Sequence, residues 1–383
     1  MAGVPRLSRR TRWAIPVGAL AVTGAVIGGS LISVAQASPG LPSRTPAQLL
    51  AQVADSATPP LTGTVVETTS LGLPSLPGTA NPTSIASLLT GSHTVRVWYS
   101  GPRHFRLAVP EPLSETDVIA DGNTAWQWES TANAVTEYSL PSGAKAPQTA
   151  PTTAPLTPQQ AAQQVLAAVG PTTTVSVDSN VTVAGQPAYE LVLAPKDSRS
   201  LVGQVQIAID GKNGVPLRLQ VYARGASTPA FQVGYTAIQF VTPAPADLTF
   251  TPPPGAKVTH VNLSAPSGSD QMRGDVSTIG SGWLTVLDLP SAGLTAPSGS
   301  GPSPGSGGSG ASASGDSAAA LNALLQSATP VSGAWGSGRL LRTSLVSVLI
   351  TDGGRMFVGA VQPSVLYAAA GQAATGSSST QAP

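Results

Sequence analysis

The 383-residue sequence has no cysteine, which excludes disulfides, thiolate metal sites and a thiol nucleophile. It is also poor in charge and in aromatic residues, which make up 10% and 4% of the chain. A stable domain must therefore come from burial of the 41% of residues that are hydrophobic.

Histidine is equally scarce, because the whole chain holds only three: His93, His104 and His260. None of them has a histidine partner four residues away or a carboxylate at metal-site spacing. The sequence therefore predicts neither a bound metal nor any other cofactor.

Signals of catalysis are weak. The sequence GPSPG at 301–305 fits a nucleophile elbow formally, but it lies in a Gly/Ser tract with no strand before it and no helix after it. Glu111, Glu115 and Asp117 lie close together in PEPLSETD, which we interpret as a loop with solvated carboxylates. We therefore predict that the protein is not an enzyme.

The first 37 residues have the pattern of an export signal. Four arginines precede an uncharged run over 14–34, which ends in the A-x-A sequence of residues 35–37. An uncleaved membrane anchor is the alternative, and both place the rest of the chain outside the cytoplasm. Without these arginines the 19 basic residues fall to 15, against 18 acidic ones, so we predict no nucleic-acid partner.

Alternating segments such as HTVRVWY, HFRLAV, TAWQWES and AVTEYSL, separated by turns, predict antiparallel strands over most of 61–250. Capped patterns predict helices at 46–56 and at 158–169. Beyond the strands we predict a smaller α+β unit over 259–370, with a disordered Gly/Ser-rich insertion at 291–315 and a structureless tail at 371–383.

A family likeness covers roughly residues 46–258. GPRHFRLAVP, the Asp-Gly turn with TAWQWES, then GVPLRLQV, FQVGYTAIQF and LTFTPPPGAKV follow one another in an order that resembles the LolA/LolB/RseB group of lipoprotein carriers and sensors. The resemblance implies an α+β, mainly antiparallel fold: a half-open β-barrel over 38–258 with a helical lid. It departs at Gly101, where the carriers commonly have an arginine that can bond the lid.

The resemblance also implies a binding role for apolar side chains between sheet and lid. The candidates for the cavity wall are Trp98, Phe105, Leu107, Val109, Trp126, Trp128, Tyr138, Tyr189, Leu191 and Leu193. The candidates on the lid are Leu49, Leu50, Val53, Val165 and Leu166. An ordinary packed core explains the same alternation, because aromatic side chains dominate cores.

We therefore expect a non-catalytic, extracytoplasmic protein that binds the acyl chains of a lipid or lipoprotein. One alternative is an envelope sensor that binds a lipidated ligand and a membrane-bound partner. A second alternative is a cell-wall polysaccharide-binding protein, because Trp126 and Trp128 could form a stacking platform for sugars.

Overall fold

The computed structural model describes residues 40–55, 57–72, 90–139, 157–158, 160, 170–262, 276–291 and 326–378. Within these ranges most residues lie in two β-sheets, and three α-helices have both of their ends described. No helix of the described part is long and apolar enough to cross a membrane.

The larger sheet contains thirteen strands. They are β1 (Leu61–Ser70), β2 (Thr90–Gly101), β3 (His104–Glu111), β4 (Ser114–Asp121), β5 (Thr124–Glu129), β6 (Ala134–Ser139), β7 (Thr173–Val177), β8 (Val181–Val183), β9 (Gln186–Pro195), β10 (Val202–Asp210), β11 (Pro216–Ala223), β12 (Pro229–Gln239) and β13 (Lys257–Asn262). Their order is β13-β6-β5-β4-β3-β2-β1-β12-β11-β10-β9-β7, with β8 also paired to β9. Every pair is antiparallel except β13 with β6, and the sheet is unclosed, as predicted.

The smaller sheet has six strands, in the order β14-β15-β19-β18-β17-β16. They are β14 (Ser277–Ile279), β15 (Val286–Pro290), β16 (Thr329–Gly333), β17 (Gly336–Arg342), β18 (Ser347–Thr351) and β19 (Arg355–Gly359). The helices are α1 (Pro46–Asp55), α2 (Pro245–Leu248) and α3 (Pro363–Ser378), and a 3-10 turn spans Gly282–Leu284.

Local sequence explains several of these boundaries. Thr45 caps α1, because the Gln48 backbone N–H bonds its hydroxyl and its own N–H bonds the Gln48 side chain. The Asp-Gly turn between β4 and β5 is present, and Gly122 adopts φ +62° there. Most of the predicted second helix, the insertion and the export signal lie outside the described residues.

Two sequence predictions were wrong. The chain does not become structureless at Gly371, because α3 continues through Ser378. The stretch PEPLSETD is not a long loop either, because β3 ends at Glu111 and β4 begins at Ser114. Only a two-residue turn separates the strands, so the carboxylates that follow belong to the sheet.

Each sheet has its own hydrophobic core. The larger core collects one face of the thirteen-stranded sheet together with Leu49 and Val53 of α1. The smaller core lies between the second sheet and α3. The larger core also contains Leu345, which belongs to the loop between β17 and β18 of the smaller sheet.

Candidate functional site

One face of the larger sheet, the core face, carries the side chains of the larger core. Its half at β9–β11 is tightly packed: Tyr189, Leu191 and Leu193 are at most 1% exposed. A cavity that admits water would leave accessible area on the side chains that line it. None of these three candidates therefore lines such a cavity in this structure.

The chain before and within α1 lies against this packed half. The Tyr189 hydroxyl donates to the Pro42 carbonyl at 2.7 Å, and the Arg44 guanidinium lies 5.3 Å from the Tyr189 ring centroid. Leu49 and Val53 are buried in the same core, and Leu50 packs against it. The predicted lid positions Val165 and Leu166 lie outside the described residues.

The other half of the core face, at β3–β6, is more open. Strand register places Phe105 opposite Ala120, Ala120 opposite Ala125, and Ala125 opposite Tyr138. Phe105, Ala125 and Tyr138 are only half-buried. Since neighbouring strands lie about 4.8 Å apart, two aromatic side chains about 14 Å apart flank a floor of two alanines. We call these four residues the alanine trough.

The β3 side of the trough continues as an apolar wall along the strand. Leu107 and Val109 follow Phe105 on the same face, and both belong to the core or pack against it. Val118, next to Leu107 in register, extends the floor beyond Ala120. The trough is therefore apolar on its β3 side, whereas on its β5–β6 side Gln127 and Thr136 follow in register beyond Val118.

A polar group interrupts the core face on β1 and β2. Glu67, Thr69 and His93 are 3%, 6% and 6% exposed, and Glu67 lies directly opposite His93. Thr69 Oγ1 and His93 Nε2 have no hydrogen-bond partner among the described residues. A buried polar atom without a partner costs about 1–3 kcal/mol, so these two atoms are an unusual feature of an apolar wall.

Burial also determines the charge of this polar group. Removal from water lowers the pKa of His93 to about 4, because desolvation disfavours the imidazolium. His93 is consequently neutral at physiological pH and offers one N–H donor and one nitrogen acceptor.

The three tryptophan candidates do not lie on the core face. Register places Trp98 opposite Arg106, Trp126 opposite Ile119 and Trp128 opposite Asp117, all on the other face of the sheet. The three rings therefore lie on the face opposite to that of Phe105, Leu107 and Val109. Alternation correctly put Trp126 and Trp128 on one side of β5, but it could not show which side faces the core.

On this outer face Asp117 is completely buried. Its carboxylate contacts Arg106 Nη2 at 2.5 Å, and the Arg106 guanidinium lies 5.5 Å from the Trp98 ring centroid. Burial raises the pKa of Asp117 to about 6, although the nearby Arg106 acts in the opposite direction. The expectation that this carboxylate is solvated was wrong, because the outer face of β4 is covered where Asp117 lies.

The cover on the outer face is the connection from β12 to β13, residues 240–256. It passes over the strands between them, with α2 packed on β3 and β4. The Phe250 ring centroid lies 6.0 Å from that of Trp126 and 6.5 Å from that of Trp128. The Trp126 indole N–H also donates to Glu137 at 3.2 Å. The tryptophans therefore hold this crossing connection onto the sheet.

A cavity of about 690 Å³ lies at the junction of the two sheets. Trp283 is part of its wall and donates its indole N–H to Thr173 Oγ1 at 2.8 Å. Arg199 bonds Asp197 at the rim at 2.7 Å, and this hydrogen bond lowers the pKa of Asp197 to about 2. The cavity is separate from the alanine trough.

The remaining histidines make surface contacts. His104 Nδ1 lies 3.0 Å from Asp121, and His260 Nδ1 lies 3.4 Å from Glu137; both imidazoles are more than half exposed. Within the described residues, no three metal-ligating side chains cluster.

Sequence reasoning missed Ala120, Ala125, Asp117 and the role of His93. A signal for His93 was present, because in HTVRV it occupies the same phase as Val95 and Val97, which are buried. The two alanines carried no comparable signal, since their importance depends on which strands are neighbours.

No family model and no curated protein matches the chain. The MucA/MucB complex of Pseudomonas aeruginosa matches with 16% identity and a TM-score of 0.41, over 85% of this chain and 96% of that one. A LolA superfamily protein from Nitrosomonas europaea matches with 12% identity and a TM-score of 0.23, over 54% and 99%. A conserved protein from Thermus thermophilus matches with 13% identity and a TM-score of 0.32, over 56% and 98%. Identities of this size say nothing about a ligand.

Proposed function

We propose that the protein is a non-catalytic binding protein that holds the acyl chain of a lipid or lipoprotein on the core face of its larger sheet. The observation that carries the proposal is the alanine trough, where Phe105, Ala125 and Tyr138 are only half-buried beside the packed half of the same face. Each methylene that moves from water into such a groove contributes about 0.8 kcal/mol, so a long chain needs no charged contact to bind.

The groove residues have the right chemistry for this ligand. Phe105 and Tyr138 offer flat apolar sides, and Leu107 and Val109 continue the wall. The small side chains of Ala120 and Ala125 leave the floor low, which gives a flexible chain room between the aromatic rings. In this proposal α1, which covers the adjacent half of the face through Leu49 and Val53, is one element of a lid.

The proposal includes an extracytoplasmic location, supported by the export pattern of residues 1–37, and a half-barrel unit that extends past the predicted boundary at 258 to include all of β13. It involves no chemistry on the ligand. The histidines that contact Asp121 and Glu137 lie at the surface, and surface contacts of this kind are of little energetic consequence.

A sensor function is the second candidate, and the position of Leu345 favours it. This residue belongs to the smaller sheet but is 2% exposed in the larger core. A ligand that rearranges the larger core can therefore change how the smaller sheet is held. The polysaccharide alternative has no such support, because one side of each tryptophan ring contacts Phe250.

The direct test replaces the floor of the trough. Ala125→Leu adds a branched apolar side chain between the aromatic walls, and we expect it to weaken binding of a fluorescent fatty acid at least about tenfold, which corresponds to about 1.4 kcal/mol. The measurement is equilibrium titration of purified protein, together with mass spectrometry of lipids extracted from protein made in its own host.

Ala134→Leu is the matched control, because Ala134 is also a half-buried alanine on the core face but lies at the far end of β6. It should bind the probe like the wild type. A wild-type protein that carries no lipid and binds no fatty acid would overturn the proposal, as would equal binding by Ala125→Leu.

A further inference from the structure

We infer that the polar group of Glu67, Thr69 and His93 recognises the uncharged, oxygen-bearing end of the ligand, and that the preferred class is therefore a neutral acyl ester of glycerol type. The inference rests on the proposed function, since it specifies which acyl lipid the core face takes. A free fatty acid and a phospholipid are the classes that it disfavours.

The first support is the pair of unsatisfied atoms. Thr69 Oγ1 and His93 Nε2 are buried, on one face, and without a partner among the described residues. Thr69 lies opposite Gly91 on β2, so it is diagonal to His93 and both side chains are within reach of one small group. A hydroxyl with an ester carbonyl beside it supplies the donor and acceptor that these atoms need.

The second support is the path from this group to the alanine trough. Val95 and Val97 follow His93 on the core face of β2, and Val97 lies opposite Leu107 of β3. Tyr99 lies six positions beyond His93 on β2 and opposite Phe105. At about 3.3 Å per residue the path is about 20 Å long and apolar throughout. A polar end at His93 thus places an acyl chain along the β3 wall.

The third support is the charge of the group. His93 is neutral because burial lowers its pKa to about 4, and its direct neighbour Glu67 is an acid. The group itself therefore offers no cation to a carboxylate or phosphate. Buried anionic headgroups need such a partner, whereas hydroxyls and esters do not. Entry of any ligand requires the elements that cover this face to move away from it.

The test is displacement of a fluorescent fatty acid from the full chain by four competitors of equal acyl length. They are a monoacylglycerol, a free fatty acid, a phosphatidylglycerol and a diacylated lipopeptide. We expect the wild type to prefer monoacylglycerol over the fatty acid by about tenfold, as two additional hydrogen bonds imply. The variant Thr69→Val/His93→Leu should bind the monoacylglycerol and the fatty acid with affinities within about twofold of each other.

Thr68→Val is the control, because Thr68 is the exposed neighbour of Thr69 on the opposite face of β1. It should keep the preference, and His93→Gln, which retains a donor and an acceptor, should keep most of it. Tighter binding of the lipopeptide than of the monoacylglycerol would identify a lipoprotein as the source of the ester, and the reverse would identify a free glyceride.

Two results would overturn the inference. One is a wild type that binds the fatty acid and shows no preference for the ester. The other is a double variant that keeps the preference. A wild type that binds none of the four lipids would overturn the proposed function as well, so the two failures are distinguishable.

Discussion

Asp117 and His93 are buried ionisable residues on opposite faces of the sheet, and burial shifts their pKa values in opposite directions. Asp117 has its pKa raised to about 6, so the unfolded chain loses this proton first as pH rises. Its contribution to stability therefore falls between about pH 4 and pH 6. The pKa of His93 is lowered to about 4, so the unfolded chain gains this proton first as pH falls. Its contribution to stability therefore rises with increasing pH over nearly the same range.

We predict that these two slopes offset each other in the wild type and appear separately in variants. Asp117→Asn should make the free energy of unfolding rise more steeply from pH 4 to 6.5, whereas His93→Gln should make it fall. Urea denaturation at a series of pH values measures both slopes. Asp178→Asn, at an exposed site, should leave the wild-type curve unchanged, and slopes of the same sign in the two variants would contradict the assignment.

Individual residues also show which side-chain positions can be predicted from the sequence. Tyr189, Leu191 and Leu193 could be placed on one face from alternation alone, and they are. Trp98 and Phe105 show equally regular alternation on neighbouring strands, yet they face opposite sides because Trp98 lies opposite Arg106. Register across a hairpin depends on the turn and its bulge, here between Tyr99 and Gly101, which periodicity does not encode.

Among the elements, α3 gives the sharpest contrast with the sequence-based expectation. Gly371 lies inside this helix, and an added methyl group would meet no atom within 4 Å. We therefore predict that Gly371→Ala stabilises the protein by about 0.5–1 kcal/mol, because alanine loses less backbone entropy in a helix. The measurement is thermal or urea unfolding.

Gly122→Ala is the matched comparison, because this glycine also has open space around it but adopts φ +62° in the β4–β5 turn. There alanine should destabilise by about 1–2 kcal/mol. A neutral effect of Gly371→Ala would instead support the structureless tail that the sequence suggested.

The strands and helices themselves were largely predictable from the sequence, but the pairing of strands that lie far apart along the chain was not. Alternation and turn residues identify most strands of the larger sheet, and the cap at Thr45 identifies α1. The position of β1 between β2 and β12 had no local signal, because its partner strand begins at Pro229. The alanine trough depends on such pairings, so the site could be inferred only as a set of apolar residues.

Across the whole molecule, Leu345 connects the two sheets. Its loop is fixed by a hydrogen bond from the Ser344 N–H to the Leu71 carbonyl at 2.9 Å, and a second contact joins the Leu201 N–H to the Ala360 carbonyl at 2.9 Å. An acidic side chain at 345 would leave a charge in the larger core without a partner.

We predict that the wild type unfolds in one calorimetric transition and that Leu345→Asp unfolds in two, because a buried carboxylate at 345 disrupts the core through which the two sheets are joined. Leu340→Ala, a truncation inside the smaller core, should lower stability without splitting the transition. A single transition in Leu345→Asp would show that the sheets are coupled by other contacts.

The central place of β1 also has a consequence for how the chain matures. Thr62 pairs with Trp98 of β2 on one side and with Gln239 of β12 on the other. The second partner strand, β12, is synthesised much later than β1. A polypeptide that emerges from its N-terminus first keeps this edge open until residue 239 has appeared, and such distant pairings form slowly. The β1–β12 pairing therefore forms only after residue 239 has been synthesised, and premature termination before that point leaves an unpaired strand edge that favours aggregation.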